Sequence, residues 1–294
     1  MLFPCRFVDQ TWRDSLSGAQ KFSLEHTLKN SDDLPARDIR TPQMHVSLVR
    51  RAKNTVRLLL AGRVRSFDAV RSFVEGKKGL EIGGPSTAFQ RWFKPLPIYH
   101  RVGSLDNCDI SRVTTWTTHA DTYRFSPRKQ PGKNIFVDAS NLSCLADQSY
   151  DFVLSSHNLE HFANPVKALY EWKRVTRPGG GLILLLPHHL RTFDHRRLPT
   201  TVDHMFEDFR QATPEDDLFH LPEILEKHDF SLDPGTTSVD EFRRRSLDNF
   251  HNRCLHHHVF NESNSRELLV RSGLEVLAVE RALPNHIFLL ARVP

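Results

Sequence analysis

The apolar positions of the chain fall into two patterns. From Met44 to Val74, the residues Val49, Val56, Leu60, Val64, Phe67, Val70 and Val74 recur at three, four or seven. That spacing predicts a helix. Arg50, Arg57, Arg65 and Arg71 are interspersed, and Gly62 is a break point. From Gly76 onward the apolar runs are short and end at turn-forming residues: Gly79–Gly84, Ile98–Leu105, Ile135–Val137 before Asp138, and Tyr150–Leu154 before Ser155-Ser156. Each predicts a buried strand followed by a turn. Asn164-Pro165 opens a helix, because proline is tolerated in the first turn. That helix runs to about Val175 and stops before Arg177-Pro178-Gly179-Gly180, and Gly181–Leu186 is the next strand. Strands alternating with helices imply a parallel sheet covered on both faces.

After Pro187 the alternation breaks. Thr213-Pro214-Glu215-Asp216 and Ser238-Val239-Asp240-Glu241 both start with a hydroxyl residue and end with an acid three positions later. This is a helix-start signature, so residues 190–258 read as a helical insertion. The alternation of strand and helix then resumes, with a helix at Ser265–Arg271 closed by Gly273 and strands at Glu275–Val279 and His286–Ala291. The expected organisation is an N-terminal helical cap (1–75), a core (76–189), the insertion (190–258) and a C-terminal completion of the sheet (259–294).

Composition narrows the class. Of 294 residues, 39% are hydrophobic and 26% charged, which excludes a disordered or collagen-like chain. No apolar run approaches the roughly 20 residues of a membrane helix. The first residues carry charges where a signal peptide has its apolar stretch, so a cytoplasmic location is expected. Cys5, Cys108, Cys144 and Cys254 are far apart and form no CxxC pair, which argues for reduced thiols. Charge is uneven. Residues 1–79 hold 15 Lys+Arg and 8 Asp+Glu, a net of +7, and the remainder is −2. A basic patch attracts nucleic acid, anionic membranes or acidic small molecules, yet a solvated basic helix face also accounts for it.

The chemistry-bearing residues come in order. Leu80-Glu81-Ile82-Gly83-Gly84-Pro85-Ser86 ends a strand in two glycines, which let the backbone turn and approach a ligand. It matches neither GxGxxG nor a phosphate loop with lysine. An acid follows in Ser104-Leu105-Asp106-Asn107, suited to ribose hydroxyls, with Asp109 nearly as well placed. Asp138-Ala139 ends the third strand, and Ser155-Ser156-His157-Asn158-Leu159-Glu160-His161 follows the fourth.

This series resembles the class I S-adenosylmethionine-dependent methyltransferase family. The resemblance covers residues 79–187 and, by the pattern of strand and helix alone, 259–294. It implies a Rossmann-like α/β fold with a mostly parallel seven-stranded sheet and S-adenosylmethionine as cofactor, released as S-adenosylhomocysteine. Carried over by position, Glu81, Gly83 and Gly84 form the cofactor turn. Asp106 then serves the ribose, Asp138 and Ala139 the adenine, and Ser155 lies on the segment beside the cofactor. The family's ExGxGxG is here Glu-Ile-Gly-Gly-Pro-Ser, a reshaped turn.

The subtype follows from what is missing. Asn/Asp-Pro-Pro-Tyr of base N-methylation is replaced by Ser-Ser-His-Asn, and no cysteine has the setting of a pyrimidine nucleophile. Transfer to an oxygen or nitrogen of a small acceptor remains, with O-methylation of a carboxylate or hydroxyl preferred. His157 and His188 follow strands four and five at the carboxyl edge of the sheet, as candidate bases or acceptor contacts. Arg191, His195 and Arg196 are the candidate clamp for an acidic, aromatic acceptor, with pairing to the acids of the insertion as the alternative. The histidines, including His256-His257-His258, show no compact ligand spacing, so no metal is expected. An RNA or protein methyltransferase using the basic N-terminus, and a non-catalytic binding protein on the same fold, are the other readings.

Overall fold

The computed structural model describes residues 63–294 apart from 91–93, 115–117, 234–235 and 237. Most of the expected cap, including its helix before Arg63, lies outside them. The described residues belong to one compact unit, His45–Pro294. Helix α1 (Phe67–Val74) leads into β1 (Lys78–Ile82), the short α2 (Thr87–Gln90), β2 (Ser104–Asp109), β3 (Thr122–Tyr123), β4 (Gly132–Phe136) and β5 (Tyr150–Ser156). Helix α3 (Pro165–Val175) and β6 (Thr176–Pro187) follow. The insertion carries α4 (Val202–Arg210), α5 (Leu221–Lys227), α6 (Val239–Leu247) and α7 (Asn249–Asn252). Helix α8 (Glu262–Arg271), β7 (Glu275–Ala282) and β8 (His286–Arg292) complete the chain.

The strands form one sheet in the order β3-β4-β2-β1-β5-β6-β8-β7. The run from β4 to β6 is parallel, while β8 is antiparallel to both β6 and β7. The eighth strand, beyond the expected seven, is β3, which pairs antiparallel with β4. Both faces are covered, and the strands show it residue by residue. In β6, Leu182, Leu184 and Leu186 join the core under α3, α4 and α8, while Ile183 and Leu185 join the core under α1. Such alternation is the period-2 geometry of a strand buried on both sides.

Local chemistry explains the element ends. The Asn164 side chain accepts from Lys167 N at 3.0 Å and caps α3, with Pro165 in its first turn. Ser238 caps α6 through Glu241 N, as its sequence signature predicts. The Thr213 signature does not start a helix. Thr213 is turned back to the end of α4 instead, with Oγ1 donating to Asp208 Oδ1 at 3.1 Å and N to Asp208 O at 2.8 Å. The expected strand at Ile98–Leu105 is also displaced. Leu96, Ile98, Tyr99 and Val102 are buried, but they lie in irregular chain, a turn and a single bridge from Val102 to Glu75, and β2 begins only at Ser104.

The insertion leaves and rejoins the core at a narrow neck. Thr200 N donates to Val259 O at 3.0 Å, Val259 N donates to Thr200 Oγ1 at 3.0 Å, and Asn264 Nδ2 donates to both Thr200 O and Val259 O. Inside the insertion, Leu221, Ile224, Phe242 and Leu255 form a small apolar cluster of their own. Among the described residues no helix is long and apolar enough to cross a membrane.

Candidate active site

A cavity of about 650 Å³ opens at the carboxyl ends of β1, β2, β5 and β6. This is the edge where ligands bind in open α/β sheets. Its floor is built by Gly83 after β1, Asp109 and Ile110 at the end of β2, and Asp138 and Ala139 after β4. The segment after β5 adds Ser156, His157, Asn158, Glu160 and His161. Arg191 and Phe193 after β6, and Arg245, Arg253 and His256 from the insertion, form the remaining wall.

The glycine turn is held from below. Gly83 has φ +68°, and a Cβ there would lie closer than 3.0 Å to the Asn158 side chain. Gly84 packs against Tyr123 and Glu81, where a Cβ would again be too close. Gly84 therefore shapes the turn and is not among the cavity-lining residues, and Glu81 is likewise buried beneath it. The Glu81 carboxyl receives Tyr99 Oη at 2.7 and 2.8 Å, Tyr123 Oη at 2.5 Å and Ser86 N at 3.1 Å. Burial pushes its pKa up to about 7, although these donors pull it down.

That shift has a stability consequence. A carboxyl with pKa near 4.5 unfolded and about 7 folded binds its proton more tightly in the folded state. Stability from Glu81 is then fully present below pH 4.5 and is lost as pH rises through 7. Across that window the loss is about 3 kcal/mol. In Glu81→Gln the fall in unfolding free energy between pH 5 and 8 should shrink by that order, measured by denaturant titration. An identical pH slope in wild type and variant would show that Glu81 titrates normally.

The acid expected at the ribose, Asp106, does not stand at the strand tip. Because β2 starts late, it lies mid-strand. Its carboxylate receives Lys133 N at 2.9 Å and Tyr150 Oη at 3.0 Å, and it does not line the cavity. Asp109 stands at the cavity instead. Its carboxylate lies 2.9 Å from His119 Nε2, and burial pushes its pKa up against the pull of that imidazole. Asp138 and Ala139 are where the sequence predicts, at the cavity floor. Trp172 of α3 is fully buried and donates Nε1–H to Ala139 O at 3.0 Å, which fixes that backbone. Asp138 is already engaged: Oδ1 accepts from Ser140 N at 2.8 Å and Oδ2 pairs with Arg253 at 2.7 Å. Arg253 also pairs with the half-buried Glu215 at 2.7 Å. Ser155 is buried, and its neighbour Ser156 lines the cavity.

Of the two candidate bases, only His157 reaches the cavity. Its Nε2 is 2.7 Å from His286 Nδ1, and burial with that neighbour drives its pKa well below the usual value. His188 is buried outside the cavity, with Nε2 3.1 Å from Glu262 and Nδ1 accepting from Leu190 N. Both of its ring nitrogens are thereby used by the scaffold. The arginine clamp also divides. His195 and Arg196 point to Asp229, at 2.8 and 3.3 Å, and do not line the cavity. Arg191 does, and among the described residues it makes no ion pair.

Sequence reasoning missed Glu160, His256, Arg245 and Arg253. Glu160 is fully buried and neither carboxylate oxygen has a hydrogen-bond partner among the described residues. Burial pushes its pKa up to about 7. His256 lies 2.5 Å from Asp194, and that carboxylate raises its pKa despite burial. Glu160 was readable as part of the Leu-Glu-His segment. The other three come from an insertion with no periodicity to place them.

A doubly covered parallel sheet with a glycine turn and acids at successive strand ends defines a Rossmann-like cofactor-binding protein. Residues 97–184 match the family model described as a methyltransferase domain. That match spans under a third of the chain and agrees with the resemblance carried by the motifs, a class I methyltransferase core with S-adenosylmethionine as cofactor. Solved structures with similarity include an S-adenosylmethionine-dependent methyltransferase from Mesorhizobium loti. It is 17% identical, covering 78% of this chain and 98% of that one, with TM-score 0.44. A Haloferax volcanii methyltransferase in complex with the Trm112 activator is 13% identical, covering 77% and 88%, with TM-score 0.42. An Aquifex aeolicus methyltransferase is 13% identical, covering 84% and 97%, with TM-score 0.38. No curated protein matches the chain.

Proposed function

We propose that this methyltransferase acts on a small acidic acceptor and methylates an oxygen, with a carboxylate the best fit. The observation that carries this reading is Arg191, a cation on the cavity wall with no ion-pair partner among the described residues. A guanidinium grips a carboxylate bidentately and so orients it. The residues at the floor fit the cofactor: Asp109 for ribose hydroxyls, Asp138 and Ala139 for the adenine edge, and Gly83 where the backbone must be approached. Bound S-adenosylmethionine supplies a methyl group on a sulfonium centre. Transfer to an acceptor oxygen would leave S-adenosylhomocysteine, with the sulfur keeping the electron pair of the broken sulfur–carbon bond.

The chain's own part is alignment and exclusion of water. Arg191 and Phe193 hold the acceptor from one side, and the insertion closes the other. A carboxylate is ionised at pH 7 and needs no base. The low pKa of His157 suits a neutral contact better than a proton acceptor.

One experiment tests both halves. Asp109→Ala should weaken S-adenosylhomocysteine binding about tenfold or more, the scale of losing a hydrogen bond to a charged group, while Asp106→Ala should leave it unchanged. Arg191→Ala should raise KM for a carboxylated acceptor and leave cofactor KM alone. An acceptor screen in which only neutral phenols or amines react, with Arg191→Ala fully active, would overturn the acidic-acceptor reading.

A further inference from the structure

Away from the cavity, the insertion gathers His204, Asp208, His220 and His258. Helix α4 sets His204 and Asp208 one turn apart on the same face. His220 immediately precedes α5, and His258 lies on the extended segment that returns to the neck. Three stretches distant in sequence thus converge. His204 Nε2 is 3.0 Å from His220 Nε2 and 3.5 Å from Asp208 Oδ2, and His258 Nε2 is 3.7 Å from the same oxygen. The ligand atoms of the three histidines lie within 4.8 Å of one another.

Hydrogen bonding alone does not account for this arrangement. Two imidazole nitrogens facing each other share at most one proton. Asp208 Oδ2 is buried and has no hydrogen-bond partner among the described residues. Its direction is nevertheless set. Asp208 Oδ1 accepts from Thr213 Oγ1 at 3.1 Å, and Asp208 O accepts from Thr213 N and Asn164 Nδ2. A carboxylate oriented by one oxygen while the other points into a ring of imidazoles is the usual support around a metal ligand. Burial also favours the neutral, ligating form of His220 and His258. His220 is lowered to about 4, and His258 falls well below its usual value. The other partner of His258 Nε2 is Ala163 O at 3.2 Å, a place that a bound cation would take over.

We propose that His204, Asp208, His220 and His258 form a structural zinc site that ties the insertion together. Ligands 2.0–2.2 Å from a tetrahedral ion stand roughly 3.3 Å apart; three of the six separations, 3.0, 3.5 and 3.7 Å, bracket that value, and the three imidazole nitrogens lie within 4.8 Å of one another. Three imidazoles and one carboxylate suit zinc among the common divalent ions. The three imidazoles supply three ligands, and Asp208 Oδ2, 3.5 Å from His204 Nε2 and 3.7 Å from His258 Nε2, stands beside them to fill the fourth position, which would make the site structural rather than catalytic. None of the four lines the cavity. The ion would hold α4, the start of α5 and the returning segment in one geometry, and with them the wall that carries Arg253 and His256. This proposal reverses the expectation of no metal drawn from ligand spacing. The four ligands run from residue 204 to residue 258, too far apart for a compact motif.

The test uses the untagged full chain. Metal content is measured by mass spectrometry in wild type, His220→Ala and Asp208→Asn. S-adenosylhomocysteine binding serves as an independent check that each variant is folded. The expected result is the loss of one zinc per chain in both variants. Chelator-stripped wild type titrated with cobalt(II) alone should develop the intense visible absorption of a tetrahedral site, and zinc should displace it. Stripping should lower the thermal midpoint of wild type, with recovery on adding zinc but not magnesium. Should a variant fail to fold, the cobalt titration of wild type decides. Unchanged zinc content in the folded variants, or a stripped wild type that shows no tetrahedral cobalt spectrum, overturns the proposal.

Discussion

Arg197→Leu is expected to destabilise the fold by about 3–5 kcal/mol, the cost of breaking a buried ion pair from one side. The Arg197 side chain is 1% exposed. Its guanidinium reaches Asp194 at 3.2 Å, Glu223 at 3.3 Å, His256 O at 2.7 Å and His257 O at 3.1 Å. Leucine would leave Asp194 buried with only His256 to balance its charge, and would strip two carbonyls of their donor. Because Arg197 fastens the segment after β6 to the returning segment of the insertion, the loss should also loosen the cavity wall. Denaturant titration at pH 7 checks the magnitude. A loss below about 1 kcal/mol would place this pair with surface salt bridges and would mean that the insertion is held by other contacts.

Gly83→Val is the second large effect. The φ of +68° disfavours any side chain, by about 1–2 kcal/mol for an ordinary residue and more for a β-branched one. A Cβ would also crowd Asn158, whose Nδ2 donates to Ile82 O at 2.8 Å and Ser156 O at 3.1 Å. Displacing that side chain frees the ends of β1 and β5 together. A stability loss of about 3 kcal/mol and at least a tenfold loss of S-adenosylhomocysteine affinity are expected, read by denaturation and calorimetry. A folded Gly83→Val protein with unchanged affinity would move the cofactor away from this turn.

The sequence made the sheet legible where apolar runs coincide with their own punctuation. The turn after β1, strand β5 and the Asn164-capped helix are all of that kind. It misled where buried apolar residues lie outside a strand. Leu96, Ile98, Tyr99 and Val102 look like a strand because they are buried, yet burial does not require extension. That displacement placed the strand tip at Asp106, whereas Asp109 is the acid that lines the cavity. The arginines after β6 failed differently. Arg191, Arg196 and Arg197 lie within seven residues, but the segment turns as a 3-10 helix and then irregularly. No period therefore indicates that one faces the cavity, one pairs with Asp229 at the surface and one is buried. The histidines are legible only in three dimensions, since their meeting depends on how the insertion folds back.

The neck at Thr200 and Val259 gives the insertion its own tolerance for change. With both chain ends hydrogen-bonded to one another, the strands on either side do not sense how long the path between them is. Loop closure is logarithmic in length, and doubling such a path costs only about 0.6 kcal/mol. Length variation inside the insertion is thus thermodynamically cheap, whereas the same change in β6 or β8 would shift a register that serves two cores. Residues between α4 and the returning segment can be exchanged while the sheet beneath stays as it is.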